Sequence, residues 1–289
     1  MVRNTRVIHK EDASYPALLR EIPDAPARLY YKGTWTEELF TDCLAVVGSR
    51  HMTTYGRRAA EQIVGEVASR GVTIVSGFMY GIDATAHKAA VDAGGKTIAV
   101  MPCGIERVHP EYQKDLYDKI IETGGLIVSE WEGDSMPLLW TYPRRNRIVA
   151  GLSKATLVVE AGLESGSLIT AEFARKFGRK VFAVPGQITS EVSKGTTKLL
   201  KEGATLVGSP DDILEYYGKK RASGQSSGRA SGKNDLEQKI LDALQKEPFE
   251  VDLLARTLGM SASTLGTTLS LLELQGIIKQ EGGKYYTNS

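Results

Sequence analysis

Glycine, hydroxyl and arginine recur together along this chain, and each grouping suits the binding of an anion. The first follows the apolar run Leu44-Ala45-Val46-Val47: Gly48, Ser49 and Arg50, then Thr53 and Thr54 where a helical pattern opens. Free backbone N–H groups at a helix start favour negative charge, and glycine lets a phosphate approach the main chain. No Asp or Glu stands between Asp42 and Glu61, whereas Arg50, Arg57 and Arg58 do. The local field is therefore positive. The same residues also suit an ordinary strand-to-helix connection with a hydroxyl cap.

A second grouping is Trp140-Thr141-Tyr142-Pro143-Arg144-Arg145-Asn146-Arg147, inside a stretch from Ser135 to Val159 that holds no acidic residue. Arginine forks match phosphate oxygens, and an aromatic face can stack on a base that is not held in a duplex. Tyr142, Arg144, Arg145, Asn146 and Arg147 together suit single-stranded nucleic acid. Alternatively, one or two of these arginines pair with buried carboxylates such as Glu160 while Pro143 starts a helix. The third grouping, Ser165-Gly166-Ser167, precedes another helical pattern and offers hydroxyls and main-chain N–H groups to a phosphate. Helix capping is the plainer use of the same residues.

Other chemistry is thin. His87 follows Asp83 by four positions, so the two share a helix face and can bond to each other; a lone histidine there is also an ordinary packed residue. No metal-spaced cluster and no Ser/His/Asp order stands out, so neither a metal, a cofactor nor a catalytic residue is expected. Arg175, Lys176, Arg179 and Lys180 fall at a helix end, where cations offset the dipole.

These groupings need elements to hold them. Apolar, β-branched runs at 44–47, 72–75, 97–100, 126–128, 155–159, 181–184 and 205–207 alternate with helical patterns, and the stretch between 128 and 155 reads as irregular. Strands of that kind, separated by helices, predict a doubly wound, Rossmann-like α/β domain with a mostly parallel sheet covered on both faces. Gly48-Ser49, Ser76-Gly77, Gly104, Ser165-Gly166-Ser167 and Gly186 all follow strands, at the carboxyl edge where such sheets bind ligands. Neither GxGxxG nor a Walker P-loop pattern is present, so a standard dinucleotide or nucleotide triphosphatase site is not expected.

The predicted organisation has four parts. Residues 1–40, with Pro16, Pro23 and Pro26, form a leader carrying a short helix and an edge strand packed on the core. Residues 41–218 are the Rossmann-like domain, and residues 219–234 are a Gly/Ser-rich flexible linker with five positive charges. Residues 235–289 read as a winged helix: helical patterns, a turn at Gly259-Met260-Ser261, and a small wing ending in Lys284-Tyr285-Tyr286. No Lys or Arg lies between Arg256 and Lys279, the span of the would-be recognition helix. Groove binding draws most of its affinity from cations on phosphates, so a protein contact is the better expectation.

Lys and Arg number 36 against 35 Asp and Glu in 289 residues, which confines any nucleic-acid surface to a local patch. Cys43 and Cys103 form no metal-spaced pair, and no apolar signal or spanning segment is seen; a cytoplasmic protein without membrane contact is expected.

In order, Val47-Gly48-Ser49-Arg50, Ser76-Gly77 with Gly81-Ile82-Asp83, Pro143-Arg144-Arg145-Asn146-Arg147, Val159-Glu160-Ala161, Ser165-Gly166-Ser167-Leu168-Ile169-Thr170 and Val184-Pro185-Gly186 resemble the DNA-processing protein A family (DprA, or Smf). The likeness spans about residues 12–217, and the end domain is similar to the winged helix that many members carry. It implies a dimeric single-stranded DNA-binding protein that serves natural transformation, hands the strand to the RecA recombinase, and performs no catalysis. Carried over by motif, it implies that Ser49 and Arg50 hold phosphates, that Arg145, Arg147 and Tyr142 line the strand's path, and that Ser165 to Ser167 add backbone contacts. Phe78-Met79-Tyr80 stands where members usually have a small and a basic residue, and His109 stands where tyrosine is usual. The competing expectation is an enzyme of the lysine-decarboxylase-like phosphoribohydrolase type, which also opens with a Gly-Ser-Arg-like loop. Its Pro-Gly-Gly-x-Gly-Thr signature is not met at Pro185-Gly186-Gln187-Ile188-Thr189.

Overall fold

The computed structural model describes residues 5–219 and 235–287, which fall into two compact units divided after Lys220. Most of the linker expected over residues 219–234 lies outside the described residues.

The first unit is built on one nine-stranded sheet. In chain order its strands are β1 (Arg6–His9), β2 (Arg28–Gly33), β3 (Cys43–Val47), β4 (Thr73–Ser76), β5 (Thr97–Met101), β6 (Leu126–Ser129), β7 (Ala155–Val158), β8 (Lys180–Ala183) and β9 (Thr205–Leu206). Their spatial order is β1-β2-β6-β5-β4-β3-β7-β8-β9. From β6 to β9 every neighbour pair is parallel; β1 and β2 join antiparallel. The leader therefore packs on the core as part of its sheet. Its predicted edge strand near Leu29 is β2, which is covered in turn by β1, a strand too short and too exposed to show in the apolar pattern.

The helices are α1 (Ala17–Arg20), α2 (Thr54–Ser69), α3 (Ile82–Asp92), α4 (Lys114–Glu122), α5 (Thr141–Gly151), α6 (Gly166–Lys176), α7 (Lys194–Lys201) and α8 (Pro210–Tyr216). Alternation along β3 shows how they are layered. Leu44 and Val46 pack with Ile63, Val64 and Val67 of α2 and Ile213 of α8, whereas Ala45 and Val47 pack with Ile148 and Val149 of α5 and Ala171 of α6. Each such fully buried aliphatic side chain contributes about 1.5–3 kcal/mol, so the strands' apolar runs hold both faces.

Helix α5 corrects the irregular stretch expected between residues 128 and 155. Apolar periodicity begins only at Ile148, because the first half of the helix buries Arg145 and Arg147 instead of aliphatic side chains. A helix whose inward positions are arginines carries no hydrophobic stripe for a sequence pattern to find.

Chain connections give the sheet its functional edge. From β3 the chain winds one way through β4, β5 and β6, then returns to β7 on the other flank of β3. Where winding reverses, the loops after β3 and β7 part in opposite directions, and a crevice opens between them at the strands' carboxyl ends.

The second unit packs α9 (Asp235–Lys246), α10 (Val251–Leu258) and α11 (Ala262–Leu274) with the hairpin β10 (Ile278–Glu281) and β11 (Lys284–Thr287). Ile240, Leu254, Leu265, Leu269, Ile278 and Tyr285 form its core. The turn between α10 and α11 uses Gly259 at φ 67° and Ser261, whose hydroxyl accepts from Thr264 N–H at 3.2 Å. That is the expected winged helix. Among the described residues no helix is long and apolar enough to cross a membrane, and no group of three or more His, Cys, Asp or Glu could hold a metal ion.

Candidate nucleic-acid interface

An open cleft of about 460 Å³ lies at the reversal point between β3 and β7. Gly48, Ser49, Arg50, Tyr142, Arg145, Asn146, Ser165, Gly166 and Ser167, all expected from the sequence, line it. Arg144 and Arg147 do not.

The β3–α2 loop is pinned by close backbone approach. A side chain at Gly48 would place its Cβ 2.6 Å from Ile82 Cγ1. Ser49 N–H donates to Glu160 O at 2.7 Å, and Ser49 O accepts from Ile82 N–H at 3.2 Å. Gly81, at φ 83°, takes the conformation that brings its backbone against Ser49 O and Arg50. What this anchoring leaves outward is Arg50. Its guanidinium is exposed, lies 5.2 Å from the Tyr142 ring centroid and 5.9 Å from that of Tyr80, and pairs with no carboxylate among the described residues. Contact with ring faces holds a cation without neutralising it. His51 meets Tyr80 edge-on at 6.3 Å, and Tyr142 Oη lies 2.9 Å from His109 Nε2, so aromatic groups continue on both sides of Arg50.

The start of α2, expected to take a phosphate, is filled by the protein's own anion. Buried Glu160 accepts from Thr53 N–H at 2.8 Å and from Thr53 Oγ1 at 2.6 Å. A carboxylate on a helix N-terminus uses the same N–H groups a phosphate would need. The open terminus is that of α6. Ser165 Oγ accepts from Ser167 N–H at 3.4 Å and contacts Ser167 Oγ at 2.7 Å, while Asn146 Nδ2 donates to Gly166 O at 3.2 Å. Nothing stands within 4 Å of where a Gly166 Cβ would be, so the main chain there faces open space.

Within α5 the helical repeat sorts the basic island. Tyr142, Arg145 and Asn146, three and four apart, face the cleft, whereas Arg144 and Arg147 share another face. Arg147, with a side chain only 4% exposed, gives Nη2 to Glu130 Oε1 at 2.6 Å and Nε to Asp24 Oδ2 at 3.0 Å. Arg144 reaches the same Glu130 at 3.3 Å. Arg147 was expected to line the strand's path, and the structure corrects this: Glu130 holds it in a buried pair on the side of α5 away from the cleft, whereas Arg144, expected among the strand-binding residues, shares Glu130 but keeps an exposed side chain outside the cleft. Burial alone would raise the Glu130 carboxyl, but hydrogen bonds from Arg147 and Arg144 outweigh it and hold its pKa below the ordinary value. Arg145 is buried beneath the cleft and donates Nη1 to Gly77 O and Val100 O, tying α5 to the ends of β4 and β5. Burial lowers its pKa to about 10, so it stays charged at neutral pH and lends the floor a fixed positive charge. Asp83 lies opposite; burial raises its pKa against the pull of Arg145.

His87 does not bond to Asp83. Its Nδ1 meets Thr97 Oγ1 at 2.7 Å, and because that hydroxyl donates to Ile74 O at 2.9 Å, the imidazole must carry its proton on Nδ1. Tyr142 and the hydroxyl groups of the cleft were visible as residue types; the cleft positions of His51, Met79, Asp83 and Glu164 were not. The signal for Asp83 was its place in the first turn of α3, the helix that follows β4 at the same carboxyl edge. Arg175 pairs with Glu202 at 2.6 Å, Lys176 with Glu172 at 2.8 Å and Arg179 with Glu21 at 3.0 Å, a paired surface away from the cleft.

A Rossmann-like domain whose switch-point cleft carries Arg50, Arg145 and the Tyr142 ring beside Asp83 and Glu164, followed by a winged helix, defines a two-unit protein of the α/β and winged-helix class. Comparison with known proteins makes this specific: residues 6–218 match the family described as DNA recombination-mediator protein A, and residues 225–284 match the DprA winged helix domain. The chain belongs to the DprA/Smf family. It is 39% identical over 289 residues to Protein Smf of Escherichia coli, covering 98% of this chain and 77% of that protein. To the DNA processing protein DprA of Streptococcus pneumoniae it is 44% identical over 206 residues, covering 71% of this chain and 72% of that one. The X-ray structure of DprA from Streptococcus pneumoniae superposes with a TM-score of 0.69 at 42% identity over 74% of each chain. A Helicobacter pylori DNA processing protein A structure, described for its single-stranded DNA binding mode, gives 0.67 at 30% identity over 74% of this chain and 96% of that one.

Proposed function

We propose that this protein binds single-stranded DNA in the switch-point cleft, gripping the phosphate backbone with little regard to sequence. The observation that carries the reading is Arg50: a guanidinium without a paired carboxylate among the described residues, set between the rings of Tyr80 and Tyr142. A cation presented beside aromatic faces serves phosphate and base together, and an aromatic face can be used only by a base outside a duplex. Ser165, Gly166 and Ser167 at the open start of α6 supply a second phosphate position, and Arg145 a fixed charge beneath. The Helicobacter pylori relative, described as binding single-stranded DNA, supports the assignment.

Family membership extends the proposal. The strand is incoming DNA in natural transformation; the protein works in the cytoplasm as a homodimer, shields the strand, and passes it to the RecA recombinase without chemistry of its own. Release of free base from purine monophosphates would overturn the last point and favour the phosphoribohydrolase alternative. The reading itself is tested by titrating labelled oligo-dT and a duplex of equal length at two salt concentrations. Preference for the unpaired oligomer, weakened by salt, is the expected result. Equal affinity for the duplex would move the binding surface to the winged helix.

A further inference from the structure

His109 lies outside the lining of the cleft but directly behind one of its residues. Its Nε2 is 2.9 Å from Tyr142 Oη, and the two rings meet at 60° with centroids 6.3 Å apart. Tyr142 in turn carries the Arg50 guanidinium over its ring at 5.2 Å. The chain of contact from a titratable imidazole to the unpaired cation is two links long.

A hydrogen bond between an imidazole nitrogen and a hydroxyl has a direction. Neutral His109 with its proton on Nδ1 accepts the Tyr142 hydroxyl proton at Nε2, and Tyr142 then has no proton to offer the cleft. Protonated His109 is a donor at both nitrogens and cannot accept. Its Nε2–H points at the Tyr142 oxygen, and the hydroxyl proton must turn elsewhere.

We propose that His109 is a positioning residue that gives strand binding a proton dependence: when protonated it turns the Tyr142 hydroxyl outward as a donor to a backbone phosphate beside Arg50. The inference rests on the strand-binding reading of the cleft. The charges facing this pair fix the sign. Arg107 and Glu111 come from the segment of His109 itself, Arg50 from the β3–α2 loop, and Cys103, Arg145 and Tyr80 face Tyr142 from the loop after β5, from the floor and from the β4–α3 loop. Burial, with Arg107 and Arg50, lowers the His109 pKa, and Glu111 opposes them. A phosphate placed on Arg50 cancels part of that positive field and adds an acceptor for Tyr142. Both changes favour the protonated imidazole, so binding takes up a proton and affinity rises as pH falls.

The test is the affinity for labelled oligo-dT at fixed ionic strength, from about pH 8 to about pH 5.5, a range in which thymine itself does not titrate. The full chain should bind more tightly towards acid, by up to about tenfold per pH unit between the free and bound pKa values of His109. His109→Gln, which keeps a polar side chain and cannot titrate, should bind with a flat profile, whereas His9→Gln, on the edge strand β1 away from the cleft, should keep the slope. Calorimetry of the unaltered protein in two buffers of different protonation enthalpy reads the proton uptake without any variant, and the His109 imidazole resonances should move to higher pKa on adding oligo-dT. Binding with a flat profile in the unaltered chain, or a slope that survives His109→Gln, overturns this inference and leaves strand binding intact. No binding at any pH overturns both.

Discussion

The Arg147 guanidinium closes on the Glu130 carboxylate at 2.6 Å and 3.0 Å, a two-pronged pair with the arginine almost wholly buried. Two positions earlier on the same helix, Arg145 reaches the carbonyls of Gly77 and Val100 beneath the cleft. Two arginines of one basic motif thus do different work: Arg147 fastens α5 to the leader and to Glu130, and Arg145 builds the cleft floor.

Arg147→Met should therefore lower stability and leave the strand contacts of the cleft in place. Removing one partner of a buried pair typically costs about 3–5 kcal/mol. Because Arg144 still reaches Glu130, a loss of about 2–3 kcal/mol is expected here. Chemical unfolding of the variant measures this; a midpoint equal to that of the unaltered protein would show that the pair adds nothing.

Arg50→Ala should keep the fold and weaken binding of all single-stranded sequences alike. The loss expected for one phosphate contact is about tenfold at low salt, with the slope of log affinity against log salt smaller by about one. Titrations with oligo-dT and a mixed-sequence oligomer across a salt series measure both quantities. An unchanged slope would take the β3–α2 loop out of the interface.

Gly48→Ala forces a methyl group to 2.6 Å from Ile82 Cγ1, with Glu160 O only 3.0 Å away. Overpacking of this kind costs about 1–3 kcal/mol, and the nearest relief is a shift of the loop that carries Arg50. Weaker oligo-dT binding together with a lowered melting temperature is the expected pair of results. A variant that melts lower and binds normally would separate loop position from function.

His87 supplies a pH dependence of stability distinct from binding. Fully buried, it is held neutral, its pKa lowered by burial from 6.5 to about 3. The unfolded chain takes up this proton near 6.5 while the folded chain does not until about 3. Stability is thus fully present above the unfolded value and falls as pH drops through that window, by up to about 1.4 kcal/mol per pH unit. Urea unfolding at a series of pH values should give a shallower acid decline for His87→Gln than for the unaltered protein. Parallel declines would mean that His87 is protonated without cost.

The sheet was legible because its strands are continuous apolar runs and their spacing admits little else; Leu44 to Val47 and Ala155 to Val158 fall within the runs the pattern marks. The carboxyl edge was legible for the same reason, since turn glycines and hydroxyls must follow strands. Partners of the charges were not. Thr53 and Glu160 are 107 positions apart, and Arg147 and Glu130 are 17 apart across a loop, so no local rule joins them. An acid-free stretch shows where positive charge gathers; it does not show whether a carboxylate outside the stretch returns to meet it. The helix of Thr141–Gly151 showed only as the alternative in which Pro143 starts a helix, for a related reason: its inward face is held by arginine hydrogen bonds, which leave no apolar period.

A crystal structure of the full chain with oligo-dT is the most direct measurement of where the strand lies. The expected result is a backbone phosphate on Arg50, another at Gly166 and Ser167, and bases against Tyr80 or Tyr142. A strand seated on the winged helix, or on the outer face of α5 beside Arg144, with the switch-point cleft untouched, would contradict the account.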